Sequence, residues 1–312
     1  MVFQDTYSQP DAPDLVLDDE LVLSLVRRHA PEARTVTAVD ESGGEARAYA
    51  VDEHLILKTQ RPHRLRPRTS LAKEVRFLRN LASDERISAP RVLGYGKEQV
   101  KDGIVEYICM TRIPGVAARH TTLEGPARAA MLRQLGRTLR RIHEVPQVPL
   151  AESGLFPTDR SRSDLADRLS GSFARVVAAI QTTPADWPLE HSPEELAATA
   201  LRALPEPETM VALHSNPGPE HVFVNPATGT FSGVIDFGDA YISHPALDLR
   251  QWRTQEDRTA VLNGYTTDGR VSDAFLTTWR IGLLVGEVMA IALGRGDHRR
   301  TGQNLRELLA EL

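Results

Sequence analysis

VALHSNPGPEHVFVNPATGTFSGVIDFGDAYISHPALDL, residues 211–249, reads as buried strand pieces that bracket two polar corners. VALH, HVFV and SGVID are the apolar pieces, and Asn225-Pro226 with Gly229 marks a hairpin turn between the last two. One corner presents His214, Asn216 and His221; the other presents Asp236 ahead of Phe237-Gly238-Asp239. An apolar strand that ends on Asp236 delivers a hard oxygen ligand into a cleft, the kind Mg2+ takes beside phosphate oxygens. The stretch therefore predicts a concave site for a metal and a phosphate.

Upstream of it the pattern is that of a small sheet. Residues 18–30 place acidic residues first, Leu21, Val22, Leu25 and Val26 at helical spacing, and Arg27 and Arg28 last, which suits a helix dipole and one buried stripe. Strand-like pieces follow at 35–40, 46–51 and 54–58, the first two joined by a turn at Ser42-Gly43-Gly44. Residues 70–83 align Leu71, Val75, Leu78 and Leu81 on one helical face; PRVLGYG (90–96) and IVEYICMTRI (104–113) read as two further strands. Pro114-Gly115 breaks the pattern and predicts a boundary between lobes. Beyond it, helices are predicted over 122–144, 162–181, 193–203, 255–264, 271–293 and 297–311. The order implies an α+β fold of two unequal lobes, a small β-sheet N-lobe at 1–111 and a larger helical C-lobe at 112–312.

Composition narrows the class. The chain has 312 residues, enough for a substantial core, with 37 Lys+Arg against 42 Asp+Glu and a formal net charge of -5. That balance argues against a nucleic-acid coat, which needs a positive excess. No apolar run near membrane-span length is seen, and the mean hydropathy is -0.30, so no membrane partner is expected. The first residues carry no basic start followed by an apolar stretch, so no secretory leader is expected and the cytoplasm is the default location. Cys109 is the only cysteine, which excludes an intrachain disulfide and a cysteine-rich zinc site. Lysine is scarce: Lys58, Lys73, Lys97 and Lys101 are the full set. Keeping one of four at the end of LILK favours a function for Lys58, whereas Lys73 is expected on the helix surface.

With these pieces in place, the chain resembles the aminoglycoside-phosphotransferase-like kinases, small-molecule relatives of protein kinases. Their pattern is approximately H-G-D-x-x-x-x-N followed by h-I-D-[FW]-x-x-[AS], and residues 211–249 follow it in outline. Lys58 matches the strand lysine that holds nucleotide phosphates, and Glu74 the helix glutamate that pairs with it. The resemblance makes Tyr107–Ile113, with Met110, the hinge facing the nucleotide base, and Gly43-Gly44 the turn above the phosphates. It makes Asp236 a metal-holding catalytic residue and His221 a second metal contact. His214 and Asp248 become supports of the catalytic loop, Asp248 through the backbone around residue 214. LRRIH (139–143) resembles the family's helix ending in Leu-x-x-h-His.

Two positions depart from the family. His214-Ser215-Asn216 stands where the family reads His-Gly-Asp, and Asn216 cannot accept a proton from the acceptor hydroxyl. His221 replaces a metal-binding asparagine, as in the macrolide phosphotransferases of the same family, and imidazole shifts preference from Mg2+ towards Mn2+. Asp239 or Glu220 is the candidate for a relocated base. The resemblance implies ATP or GTP as co-substrate, Mg2+ or Mn2+ as cofactor, and a hydroxyl on a small molecule or peptide as acceptor. Asp164, Asp167, Glu256 and Asp257 are candidate acceptor contacts. The competing class is a nucleotide-binding pseudokinase that acts through a partner.

Overall fold

Asp18 accepts the N–H of Leu21 and starts helix α1 (Asp19–Arg27), which buries Val22, Leu25 and Val26 on one stripe. The computed structural model describes residues 11–65, 70–182, 187–295 and 297–312. The reading of residues 1–10 as free of a leader lies outside them.

Strands β1 (Val36–Asp40), β2 (Ala46–Val51), β3 (Leu55–Gln60), β4 (Val92–Val100) and β5 (Gly103–Thr111) form one antiparallel sheet in the order β1-β2-β3-β5-β4. Alternation assigns its two faces. Tyr49, Val51, Leu57, Tyr107 and Cys109 join Val22 and Leu25 of α1 in one buried cluster. Ala48, Ala50, Ile56, Lys58, Gln60 and Met110 face a cavity instead. Helix α2 (Leu71–Leu81) begins at Ser70, whose hydroxyl accepts the Lys73 N–H. Its Phe77 meets Phe156 and Phe237 edge to face, with ring centroids 5.9 and 5.2 Å away. Lys73 is 1% exposed, not the surface lysine expected from sequence. The reason is that α2 is enclosed on more than one stripe: Lys73 and Glu74 are buried as well as Leu71, Val75 and Leu78.

Strand β6 (Val116–Ala117) pairs with β8 (Val222–Val224), and β8 pairs with β9 (Phe231–Val234) across the Asn225–Thr230 turn. Strand β7 (Val211–Leu213) does not belong to that hairpin, although the sequence grouped them; it neighbours β10 (Tyr241–Ser243). The remaining elements are α3 (Gly125–Glu144), the short α4 (Val148–Ala151), α5 (Arg162–Gln181), α6 (Pro193–Ala203), a 3-10 turn at Pro245–Arg250, α7 (Gln255–Tyr265), α8 (Asp273–Ala292) and α9 (His298–Ala310). This is the expected α+β composition of a small antiparallel sheet lobe and a mainly helical remainder.

The chain divides into two compact units, each built from several stretches. One contains residues up to Met131, Glu144–Pro157 and His214–Tyr241. The other contains Leu132–His143, Thr158–Leu213 and Ile242–Leu312. Within this second unit α8 packs on α5, α9 and the 3-10 turn. By length and composition α8 could cross a membrane, which corrects the expectation that no such apolar run exists. Burial accounts for it: 61% of the apolar window lies inside the protein, as in the central helix of a helical core.

Candidate active site

A cavity of about 720 Å3 opens on the inner face of the five-stranded sheet, and every residue lining it belongs to the first unit. Its size falls in the usual range for a small-molecule or cofactor site. Strand β3 brings Lys58 to it, the β1–β2 turn brings Gly43 and Gly44, and β5 brings Met110. The segment that was decisive in the sequence brings Asn216, Glu220, His221, Asp236 and Asp239.

Lys58 is the centre of the charge arrangement. Its Nζ donates to Glu74 Oε2 at 2.7 Å and to Asp236 Oδ1 at 2.8 Å. Glu74 is anchored from its other oxygen, which accepts the Phe237 N–H at 3.4 Å. Burial opposes the Lys58 charge, but the two carboxylates outweigh it and hold the ammonium protonated well above its usual range. Burial likewise works to raise Asp236, yet Lys58 and His221 dominate and keep its carboxyl well below the usual carboxylate range. Glu74, only 1% exposed, is pushed up by burial against the pull of Lys58.

The loop from 214 to 221 is held by its histidines. His214, fully buried, reaches the Ile235 carbonyl through Nε2 at 2.9 Å and accepts the Asn216 N–H on Nδ1. Its ring also packs against Phe237, tilted by 52° with the ring centroids 4.5 Å apart. His221 Nδ1 lies 2.8 Å from the Asn216 carbonyl, so that nitrogen carries the donated proton. The Asn216 backbone therefore sets the His221 tautomer, while among the described residues its side-chain amide has no hydrogen-bond partner. His221 Nε2 stands 3.3 Å from Asp236 Oδ2, an ion pair when the ring carries both protons and a pair of facing acceptors when Nε2 is bare.

Two facing acceptors fit a divalent cation between them, because adjacent ligands of one small cation stand roughly 3 Å apart. Among the described residues no group of three or more His, Cys, Asp and Glu side chains could hold a metal. A two-residue donor set suits a cation that takes its other ligands from nucleotide phosphates and water, the usual habit of Mg2+.

Asp248 sits in the second unit, fully buried, and its Oδ2 is 3.1 Å from His143 Nε2. His143 in turn meets the Tyr265 hydroxyl at 2.9 Å, so LRRIH ends on a buried Asp–His–Tyr chain. Of the four acidic acceptor candidates, Asp257 is buried, Glu256 is exposed beside Arg300, Asp164 accepts the Arg160 N–H near the start of α5, and Asp167 is exposed. None of them lines the cavity of the first unit. Sequence reasoning missed Gln60 and Ser70 on the cavity wall. The alternation Ile56, Lys58, Gln60 along β3 was the available signal for the first.

Residues 36–280 match the model of the phosphotransferase enzyme family. The chain belongs to that family. It is 29% identical over 165 residues to an aminoglycoside 3'-phosphotransferase of Streptomyces ribosidificus, a match that covers 52% of this chain and 57% of the relative. A second aminoglycoside 3'-phosphotransferase, from Streptomyces fradiae, is 27% identical over 166 residues, 52% of this chain and 56% of its own. The matched region thus spans little more than half the length of these curated relatives. Among solved structures, the GDP complex of wild-type aminoglycoside 2'-phosphotransferase-IIIa superposes with a TM-score of 0.61 at 17% identity, covering 94% of this chain and 99% of its own. The apoenzyme of a macrolide 2'-phosphotransferase from Brachybacterium faecium gives 0.59 at 20%, covering 92% and 97%. The fold of this family member is accordingly the two-lobed, protein-kinase-like one.

Proposed function

We propose that this chain is a nucleotide-dependent O-phosphotransferase acting on a hydroxyl of a small molecule. The observation that carries the reading is Lys58 bridging Glu74 and Asp236 at the wall of a cavity that Gly43 and Gly44 also line. A lysine fixed between two carboxylates is positioned to meet phosphate oxygens, and positioning with charge neutralisation supplies most of the catalysis in phosphoryl transfer. Residues 1–111 hold ATP or GTP, with Met110 against the base; residues 112–312 supply the catalytic segment and the acceptor contacts. Asp236 and His221 hold Mg2+ or Mn2+, which would neutralise charge on the transferring phosphoryl group. Asn216 hydrogen-bonds the acceptor hydroxyl, and Asp239 takes its proton. The acceptor is an antibiotic, or a biosynthetic intermediate or peptide. Dependence on cellular ATP or GTP makes the cytoplasm the proposed place of action.

Asn216 favours a second reading, a pseudokinase that binds nucleotide with little turnover and acts through a partner. A general base is typically worth about 10²–10⁴-fold. A panel of ATP and GTP with Mg2+ and Mn2+ in thermal unfolding, followed by product detection, separates the readings. The phosphotransferase reading expects nucleotide to raise the unfolding midpoint, product to form, and Asp239→Ala to abolish it. Stabilisation without product in the wild type, but with product in Asn216→Asp, supports the pseudokinase instead. Failure of every nucleotide to stabilise the protein defeats both.

A further inference from the structure

Residues 112–120 run from the end of β5 to the loop that carries Asn216, and the roles above leave their side chains unused. The backbone of this segment is tied at both ends. The Arg112 N–H donates to the His54 carbonyl at 2.8 Å, β6 pairs with β8, and the Arg119 N–H donates to the Pro219 carbonyl at 3.0 Å. Thr121 closes the turn, its hydroxyl donating to the Ala118 carbonyl at 2.8 Å. Arg119 is thereby held beside the loop of Asn216 and Glu220 through its main chain, whatever its side chain does. All of these residues belong to the first unit.

The cations lining the cavity are Lys58, Arg112 and Arg119. Lys58 is committed to Glu74 and Asp236. Arg112 and Arg119 are exposed, and among the described residues neither guanidinium meets a carboxylate. Arg119 Nε donates to His120 Nε2 at 3.0 Å, which braces one edge of the guanidinium and leaves both Nη groups unengaged. The charge stays unneutralised although Glu220 directly follows the residue that accepts the Arg119 N–H. A guanidinium offers a planar fork of N–H groups, which matches a carboxylate or a phosphate two bonds at a time.

The acids point the same way. A polycationic acceptor needs carboxylates gathered around it, and Asp164, Asp167, Glu256 and Asp257 do not line the cavity. Glu220 and Asp239 do line it, from the segment that carries Asn216, and they disfavour an anion placed against that segment. A molecule with a neutral hydroxyl end towards Asn216 and one oxyanion towards Arg119 suits both sets of charges.

We propose that Arg119 anchors an oxyanion of the acceptor, so that the substrate class of this site is a hydroxyl compound bearing a carboxylate or phosphate group. The inference rests on the phosphotransferase reading and deepens it by giving the acceptor a charge. Arg119 is a binding and specificity-determining residue; it takes no proton and forms no bond to phosphorus.

The test uses four sugars that share one hydroxyl-bearing ring: glucose, glucosamine, glucuronate and glucose 6-phosphate. Their binding is titrated calorimetrically to the wild type and to Arg119→Gln, each saturated with a non-hydrolysable ATP analogue and Mg2+. The substitution keeps the backbone N–H that bonds Pro219 and removes the charge and the fork. The wild type is expected to bind glucuronate and glucose 6-phosphate about tenfold tighter than glucose, the order of one charge-assisted pair, and glucosamine no tighter than glucose. Arg119→Gln is expected to bring both anions to within about twofold of glucose and to leave the affinity for the ATP analogue within about twofold of wild type. A wild type that ranks glucosamine first, or does not separate the four sugars, overturns the proposal. So does a variant that keeps the anion preference. If Arg119→Gln instead weakens the ATP analogue about tenfold, the oxyanion is a nucleotide phosphate and the acceptor role is lost. Failure of the analogue to bind the wild type removes the phosphotransferase reading itself, and the acceptor role with it; an analogue that binds beside unranked sugars removes the acceptor role alone.

Discussion

Ser215 has φ of 80°, in the left-handed region that glycine enters freely and other residues enter at a cost. By the resemblance noted in the sequence it stands where the family pattern has glycine, the residue that enters this region without cost. Asp236, with φ of 70°, is strained in the same sense and lines the cavity, as does Asn216 next to Ser215. Asp tolerates this region better than Ser, and Asp236 has Lys58 to hold it there. Ser215→Gly is therefore expected to stabilise the protein by about 1 kcal/mol, read as a higher midpoint in urea unfolding with an unchanged slope. A lowered midpoint would mean that the contacts of the serine hydroxyl outweigh the backbone strain. Much of the site was legible at this scale. Lys58, Glu74 and Asp236 are charged residues at the ends or faces of apolar elements, and such residues need partners. The backbone angle of Ser215 and the burial of Lys73 were not legible, because each depends on what packs against the residue rather than on its own pattern.

At the scale of elements, the long helices and the sheet were readable because periodicity accumulates over ten or more residues. Residues 162–181 and 193–203 were placed at the boundaries the structure has. Elements of two to four residues were not: β6, β10 and α4 are too short to show a period, and tertiary pairing alone makes them. Strand β6 matters most of these, since it lies beside β8 and hence beside the hairpin that ends at Asp236. Its approach depends on Gly115, which has φ of 97° and whose added Cβ would stand 2.1 Å from the Val224 carbonyl oxygen. Backbone cannot yield as a side chain can. Gly115→Ala is expected to destabilise by roughly 3 kcal/mol, summing left-handed strain with overpacking. Gly44→Ala, where an added Cβ meets nothing within 4 Å, should leave stability unchanged. Urea unfolding of the two variants side by side checks this, and equal midpoints would show that β6 simply moves aside.

At the scale of the whole molecule, chain order and compactness part company. The sequence divides by character near residue 111, whereas the first unit takes in residues 214–241, because Phe77 of α2 is covered by Phe237 and Lys58 is paired with Asp236. No local pattern carries that information; it lies in contacts between residues more than a hundred and fifty apart. The division also makes one property separately observable. All three tryptophans, Trp187, Trp252 and Trp279, belong to the second unit, so tryptophan fluorescence reports on its unfolding. The same unit contains His244, 2% exposed, whose Nδ1 accepts the Ala246 N–H at the start of the 3-10 turn. Burial pushes its pKa down from 6.5 to about 4, helped by His143 and opposed by Glu208. The folded ring thus stays neutral over a range in which the unfolded ring takes up a proton. Unfolding binds a proton between pH 6.5 and 4, so stability is fully present above 6.5 and is lost as pH falls towards 4. One pKa unit corresponds to about 1.4 kcal/mol, which makes the loss about 2 kcal/mol at pH 5. Asn in place of His244 keeps a side-chain acceptor for the Ala246 N–H and removes the titration. Urea unfolding followed by tryptophan fluorescence at pH 7 and pH 5 should show His244→Asn losing about 2 kcal/mol less than the wild type. Parallel losses in the two proteins would place the acid sensitivity of this unit elsewhere.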